Sequence, residues 1–399
     1  MSEWLACAQC SKSFPVTEVR YECDCGGLLS VERDAMPAGP SAFDERRSKR
    51  SGIDASGVWR FREGVLDLGL MKPISHPEGD TRLYERFGIH FKHEGENPTG
   101  SFKDRGMTVA VTQAVRLGAR AVACASTGNT SASLAAYAAQ AGLQAVVFIP
   151  AGKVSAGKLS QTLAYGATCL EVRGDFDAAM RLVREASSRL GIYLVNSINP
   201  FRIEGQKTIV WELLQDLAWT APDWIVVPAG NLGNTGAFGK ALREAQAAGW
   251  IRKMPRLAAI QAAGANPFYQ SYRERFASRF RVSAETIATA IRIGDPVSHD
   301  RAIAAIRSTN GVVEQVTDEE IMAAKREIDA AGIGCEPASA TTWAGVKKLR
   351  GAGVMRENET TVCVLTGHIL KDTEAAVRSA AGRTIVIEPT LAAVEAALA

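Results

Sequence analysis

The chain has 399 residues, 46% of them hydrophobic and 22% charged, a composition that excludes a disordered or fibrous chain and leaves room for two or three folded domains. A formal net charge of +3 gives no electrostatic case for nucleic acid. No apolar run nears the roughly 18 residues of a membrane span and no early stretch resembles a signal peptide, so a cytoplasmic location without membrane contact is expected.

Four of the eight cysteines, Cys7, Cys10, Cys23 and Cys25, fall in the first 25 residues. The spacing C-x2-C then C-x-C, followed by Gly26-Gly27, resembles a small zinc ribbon, because two tight turns can bring four thiolates around a tetrahedral metal. Zinc there would be structural, with every position filled by protein. The second pair has one spacer residue, fewer than usual, which leaves a reduced metal-free knuckle or a disulfide pair as alternatives; a reducing cytosol disfavours the disulfide. Cys124, Cys169, Cys335 and Cys363 are scattered in apolar surroundings and read as small core residues. Residues 33–58, with Pro37, Gly39, Pro40 and the charged run 44–50, read as a connector wrapping the body.

From Tyr84 onward apolar strand-like runs alternate with helical patterns. The runs are 121–125, 145–149, 168–172, 192–195, 224–228, 257–260 and 361–365, and the helical patterns include 177–190, 204–218 and 318–331. That alternation predicts an α/β fold with mostly parallel sheets, flanking helices and right-handed crossovers. The tail from Leu391 to Ala399 reads as a short amphipathic helix.

Three loops in this framework carry chemistry. The run Asn97-Pro98-Thr99-Gly100-Ser101-Phe102-Lys103-Asp104-Arg105-Gly106 puts a lysine just inside a helix start, where the dipole helps lower its pKa toward a Schiff-base nucleophile. Alone, it reads sooner as a solvated first-turn lysine, since lone lysines mostly face solvent. The strand 121–125 runs into Ser126-Thr127-Gly128-Asn129-Thr130-Ser131, which offers many donors and little bulk at a helix start. The strand 224–228 runs into Ala229-Gly230-Asn231-Leu232-Gly233-Asn234-Thr235-Gly236, where glycines let backbone N–H groups approach an anion. Its spacing is neither the dinucleotide G-x-G-x-x-G nor a P-loop. A nucleophilic lysine, a small polar loop and a phosphate cradle together fit an aldehyde cofactor that carries a phosphate.

The strings EGENPTGSFKDRGM (94–107), CASTGNTSAS (124–133), NSINPFRIEGQK (196–207), PAGNLGN (228–234), CEPASA (335–340) and LTGHILKD (365–372) resemble threonine synthase, a pyridoxal-phosphate enzyme of the tryptophan-synthase-β-like fold. The resemblance runs from about Trp59 to the end. It implies that Lys103 forms the Schiff base with pyridoxal 5'-phosphate and shuttles protons. Asn129 would bond the cofactor's phenolic oxygen, and Gly230, Asn231, Leu232, Gly233 and Asn234 would hold its phosphate. Thr366 would face the pyridine nitrogen, where a hydroxyl moderates the electron sink. Ser126, Thr127 and Thr130 resemble the loop for the substrate carboxylate, and Asn196, Ser197 and Arg202 the site for the substrate phosphate. On residue type alone, Arg202 is also a surface salt-bridge partner of Glu204. His368 lies in a matching motif and reads as a loop histidine with an ordinary hydrogen bond.

The implied reaction converts O-phospho-L-homoserine and water to L-threonine and phosphate by γ-elimination and β-addition. The alternative on the same fold is a serine or threonine dehydratase, which needs no second phosphate site. A zinc ribbon contacting nucleic acid or a protein is disfavoured because the leader lacks a basic stripe. The resemblance also implies a homodimer and two lobes that close on substrate. Their boundaries are 1–32 for the leader, 33–95 for the connector and first part of the large lobe, 96–200 for the small lobe with Lys103, and 201–399 for the rest. One departure is Arg82, where the family usually has proline, in a segment leading toward the site.

Overall fold

The computed structural model describes residues 2–152, 156–174, 176–379 and 384–398. In the leader, β1 (Glu3–Cys7), β2 (Ser13–Pro15) and β3 (Leu29–Arg33) form a small antiparallel sheet with β1 in the centre. The hairpin strands β4 (Leu83–Arg86) and β5 (Ile89–His93) then open a six-stranded sheet. A four-stranded sheet follows, made of β6 (Ala121–Ala125), β7 (Gln144–Pro150), β8 (Thr168–Val172) and β9 (Tyr193–Leu194) in the order β8-β7-β6-β9, all parallel. The six-stranded sheet is completed by β10 (Trp224–Pro228), β11 (Arg256–Ala262), β12 (Val312–Val316) and β13 (Thr361–Leu365), in the order β12-β11-β10-β13-β5-β4. Only β4 pairs antiparallel there.

The central strands are apolar on both faces because helices cover both faces, as parallel sheets require. Val226 and Val227, adjacent in β10, enter separate apolar clusters on opposite sides of the sheet. Cys124, Cys335 and Cys363 are buried as expected, while Cys169 is part-buried.

Several elements differ from the sequence reading. The connector carries a helix, Pro40–Lys49, whose one buried residue, Phe43, packs against Phe61, Trp219 and Trp250. The expected helix 204–218 begins earlier and is two helices, Pro200–Gln206 and Thr208–Asp216. Asn199 caps the first by accepting from the Phe201 N–H, and Pro200 fits its first turn. At Lys207 the ladder tightens to a bond from the Val210 N–H to the Lys207 carbonyl, which separates the two. The tail helix spans Leu391–Leu398, and Ala399 lies outside the described residues.

Candidate active site

Parallel strands deliver their following loops to one edge, the carboxyl ends, where α/β folds bind ligands. The 126–131 loop leaves β6, the 229–234 loop leaves β10, Thr366 follows β13, and Val195 and Asn196 follow β9. The Lys103 turn joins them through the backbone. Ser101 bridges Gly367, the Phe102 N–H donates to the Thr366 carbonyl at 3.0 Å, and the His368 N–H donates to the Gly100 carbonyl at 3.0 Å. Gly100 has φ +85°, which a side chain would strain. Asp104, buried, ties the turn by accepting from the Thr99 hydroxyl at 2.6 Å and the Thr99 N–H at 2.7 Å.

Lys103 opens the helix Lys103–Arg116. Its amine is held down to about 7, first by burial and next by the charge of Arg202, with Glu336 pulling the other way. The depression therefore comes from dehydration and a like charge, not chiefly from the helix dipole that the sequence suggested. Its Nζ lies 4.2 Å from the centre of the Phe102 ring.

Arg202 faces this amine because two helices cross at glycine. A Cβ on Gly205 would lie 1.7 Å from the Arg105 carbonyl oxygen, and one on Gly106 would lie 2.9 Å from that of Arg202. Arg202 is buried, donates to the Val195 carbonyl at 3.2 Å, and leaves its Nε without a partner among the described residues. Burial lowers its pKa to about 10. The surface pair with Glu204 is overturned, since Glu204 is buried and bonded to Arg33, Lys207 and Lys240. A buried guanidinium with spare donors and no carboxylate suits an anionic ligand.

The helix Gly233–Ala247 starts at Leu232, which sits in the left-handed region with φ +63°. Its first-turn N–H groups have no intrahelical acceptor and point out of the helix start. Thr235 Oγ1 is buried there without a partner among the described residues, and a Cβ on Gly230 would meet Ile291 Cα at 2.8 Å. An unpartnered hydroxyl among free N–H donors fits a phosphate group. Gln206 connects this loop to the Lys103 helix, donating to Asn234 Oδ1 at 2.6 Å while its Oε1 lies against Gly106.

Glu336 joins the ring-facing candidates. It accepts from Asn129 Nδ2 at 3.1 Å and from the Thr366 hydroxyl at 3.4 Å, and Thr366 Oγ1 lies 3.1 Å from Ser339 Oγ. Burial raises its pKa, opposed by the Asn129 bond and then by Lys103. Glu336 lies inside CEPASA and Gln206 inside NSINPFRIEGQK, and neither carries a role in the sequence expectations. Thr235 lies one residue beyond the assigned loop.

Two assigned amides have other work. Asn196 accepts from the Ala125 N–H and donates to the Ala125 carbonyl, both at 3.0 Å, so its side chain splints the end of β6. Asn231 donates to Ser197 Oγ at 2.6 Å and accepts from the Val297 N–H at 2.7 Å. Ser126 and Thr127 are part-buried in the loop entering the helix Asn129–Ala141, and Thr130, also part-buried, lies in that helix's first turn. His368 Nδ1 accepts from the Leu370 N–H at 3.2 Å, and its ring centre lies 6.2 Å from that of His93 at an interplanar angle of 28°. Arg82 is exposed, and its N–H donates to Glu96 at 2.8 Å, a bond proline could not make.

Away from this edge, Cys7, Cys10, Cys23 and Cys25 bring all four Sγ atoms within 4.8 Å of one another, with Cys7–Cys25 and Cys10–Cys23 each at 3.5 Å. A tetrahedron of thiolates about 2.3 Å from zinc has edges of roughly 3.8 Å, so the donor set fits such an ion. Gly27 permits it, because a Cβ there would lie 2.6 Å from Cys7 Sγ.

Residues 74–367 match the pyridoxal-phosphate dependent enzyme family. The chain is 46% identical over 384 residues to threonine synthase of Methanocaldococcus jannaschii, covering 94% of each, and 41% identical over 390 residues to threonine synthase 2, chloroplastic, of Arabidopsis thaliana, covering 92% of this chain and 76% of that one. Its fold is similar to the solved threonine synthase of Escherichia coli, with TM-score 0.71 and 18% identity over 99% of this chain and 94% of that one. It is also similar to threonine deaminase isoform 2 of Solanum lycopersicum, with TM-score 0.66 and 19% identity over 90% and 98%. With the lysine, the phosphate-loop geometry and these likenesses in place, the chain belongs to the pyridoxal-phosphate-dependent enzymes and, among them, to the threonine synthases.

Proposed function

We propose that this chain converts O-phospho-L-homoserine and water to L-threonine and phosphate. The observation that carries this reading is Arg202, a dehydrated guanidinium beside Lys103 with an unpartnered Nε and no carboxylate partner among the described residues. A dehydratase would have no use for a second anion site there.

Lys103 would hold pyridoxal phosphate, the 229–235 loop its phosphate, Asn129 its phenolic oxygen and Thr366 its ring nitrogen. When bound, that cofactor supplies an electron sink for charge developing at the substrate α-carbon. The Lys103 amine, titrating near neutrality, can take the α-proton and return one later. Arg202 and Ser197 hold the substrate phosphate, and Asn196 acts by fixing the strand end under the 126–130 donors. Those donors, Ser126, Thr127 and Thr130, orient the substrate carboxylate. Glu336 aligns Asn129 with Thr366 across the two sheets.

The reading includes lobes divided near residues 96 and 200, a homodimer and a cytoplasmic location. Its support is the resemblance and the separate sheets, and none of the described helices is long and apolar enough to cross a membrane. Zinc on the four leader cysteines is part of the same proposal. The deciding assay follows products. Equimolar threonine and phosphate from O-phosphohomoserine are expected, whereas 2-oxobutanoate from threonine as the main product would replace this reading with a dehydratase.

A further inference from the structure

The reaction described above leaves the cysteine leader without a task, yet the leader is bonded to three of the helices that build the site and to β9. Gln113, on the Lys103 helix, donates to the Val16 carbonyl at 2.7 Å. Lys240, on the phosphate-loop helix, donates to the Val31 carbonyl in β3. Tyr21 accepts from the Leu194 N–H at 2.7 Å, one residue before the carbonyl that receives Arg202. Arg33, the last residue of β3, donates to Glu204 at 2.8 Å and to the Val65 carbonyl at 3.0 Å.

The last contact bears on the anion end of the site. Glu204 and Arg202 are two residues apart on one helix, about 200° around it, so one faces the leader while the other faces Lys103. Glu204 is a fully buried carboxylate gripped by Arg33, Lys207 at 2.6 Å and Lys240 at 2.5 Å. The cations hold it ionised against the opposing effect of burial. Cys7 ends β1, and Cys23 and Cys25 lie in the turn that precedes β3, so closing the thiolate knot fixes the register of the strand that carries Arg33.

We infer that the leader is a brace for the substrate-phosphate end of the site. Arg33, acting through Glu204, is a positioning residue for Arg202, and a metal ion on the four thiolates holds Arg33 in place. The inference rests on the zinc and Arg202 assignments proposed above. It makes the affinity for phosphorylated ligands dependent on the metal state of a cluster that touches no substrate.

The test uses the purified holoenzyme with inorganic phosphate as probe. Metal content is measured first, then phosphate affinity before and after chelation, and in Arg33→Met and Arg33→Lys. One zinc per chain is expected. Chelation and Arg33→Met each weaken phosphate binding about tenfold and raise KM for O-phosphohomoserine, with a much smaller change in kcat and unchanged visible absorption of the bound cofactor in Arg33→Met. Arg33→Lys recovers part of the affinity. Unchanged phosphate affinity in metal-free protein and in Arg33→Met overturns the brace while leaving zinc and the reaction intact. Absence of metal overturns the metal half alone, and absence of phosphate binding in the wild type overturns the Arg202 assignment on which the inference stands. Should Arg33→Met fail to fold, Arg33→Lys and the chelated protein give the same two readings.

Discussion

At Lys103, burial sets a cost that depends on pH in a known direction. The free amine titrates near 10.5 in an unfolded chain and near 7 in the folded one, so between those values the unfolded state binds more protons and folding stability rises with pH. Below about 7 the full penalty is present in cofactor-free protein. Lys103→Met should therefore be more stable than wild type at pH 6, with the gap closing toward pH 10, as measured by urea midpoints of both cofactor-free proteins. The same substitution should abolish turnover and the visible absorption of bound cofactor. The sequence marked this lysine, and marked Arg202, by motif. It did not reveal their mutual charge effect, because the pair is 99 positions apart and meets only through the glycine crossing. Glu336 escaped assignment for a related reason: a glutamate before a helix reads as solvent-facing, and only the fold buries it between Asn129 and Thr366.

Among elements, the short helix Pro200–Gln206 decides the site's dimensions. It presents Arg202 to Lys103, Gln206 to the phosphate loop and Glu204 to the leader within seven residues. Its approach to the Lys103 helix has no room for a methyl group at Gly205, where the obstacle is backbone. Gly205→Ala should push the helices apart, destabilising the protein by about 1–3 kcal/mol or more and lowering kcat/KM far beyond that loss, since a shift of about 1 Å between catalytic groups can cost roughly a hundredfold. Thermal melting and steady-state kinetics on the same preparation separate the two effects. Strands 121–125, 224–228 and 361–365 were legible to the residue because buried parallel strands are continuous apolar runs, and 168–172 was legible too although it is an edge strand with Thr168, Leu170 and Glu171 exposed. The leader strands, the β4–β5 hairpin and β12 were not, since short or partly exposed strands mix polar residues into the pattern.

Across the whole molecule, a buried ionic cluster joins the Lys103 helix to the first strands of the large sheet. Arg105 bonds Glu94 at 2.6 Å and Glu212 at 2.7 Å, while Arg60 and Lys92 reach Glu212 at 2.8 Å each. All five side chains are essentially without solvent contact. Glu212→Gln would leave three buried cations short of a partner, and a loss of roughly 3–5 kcal/mol is expected in denaturant unfolding, insensitive to added salt because buried pairs are little screened. Local residue patterns suffice for the alternating α/β framework, the lysine turn, the phosphate loop and the clustered cysteines, because the physics of each needs no distant partner. Tertiary structure alone decided which charges pair, which stay unpaired for a ligand, and that the leader grips the back of the site, because those outcomes depend on dehydration and on contacts between segments far apart in the chain.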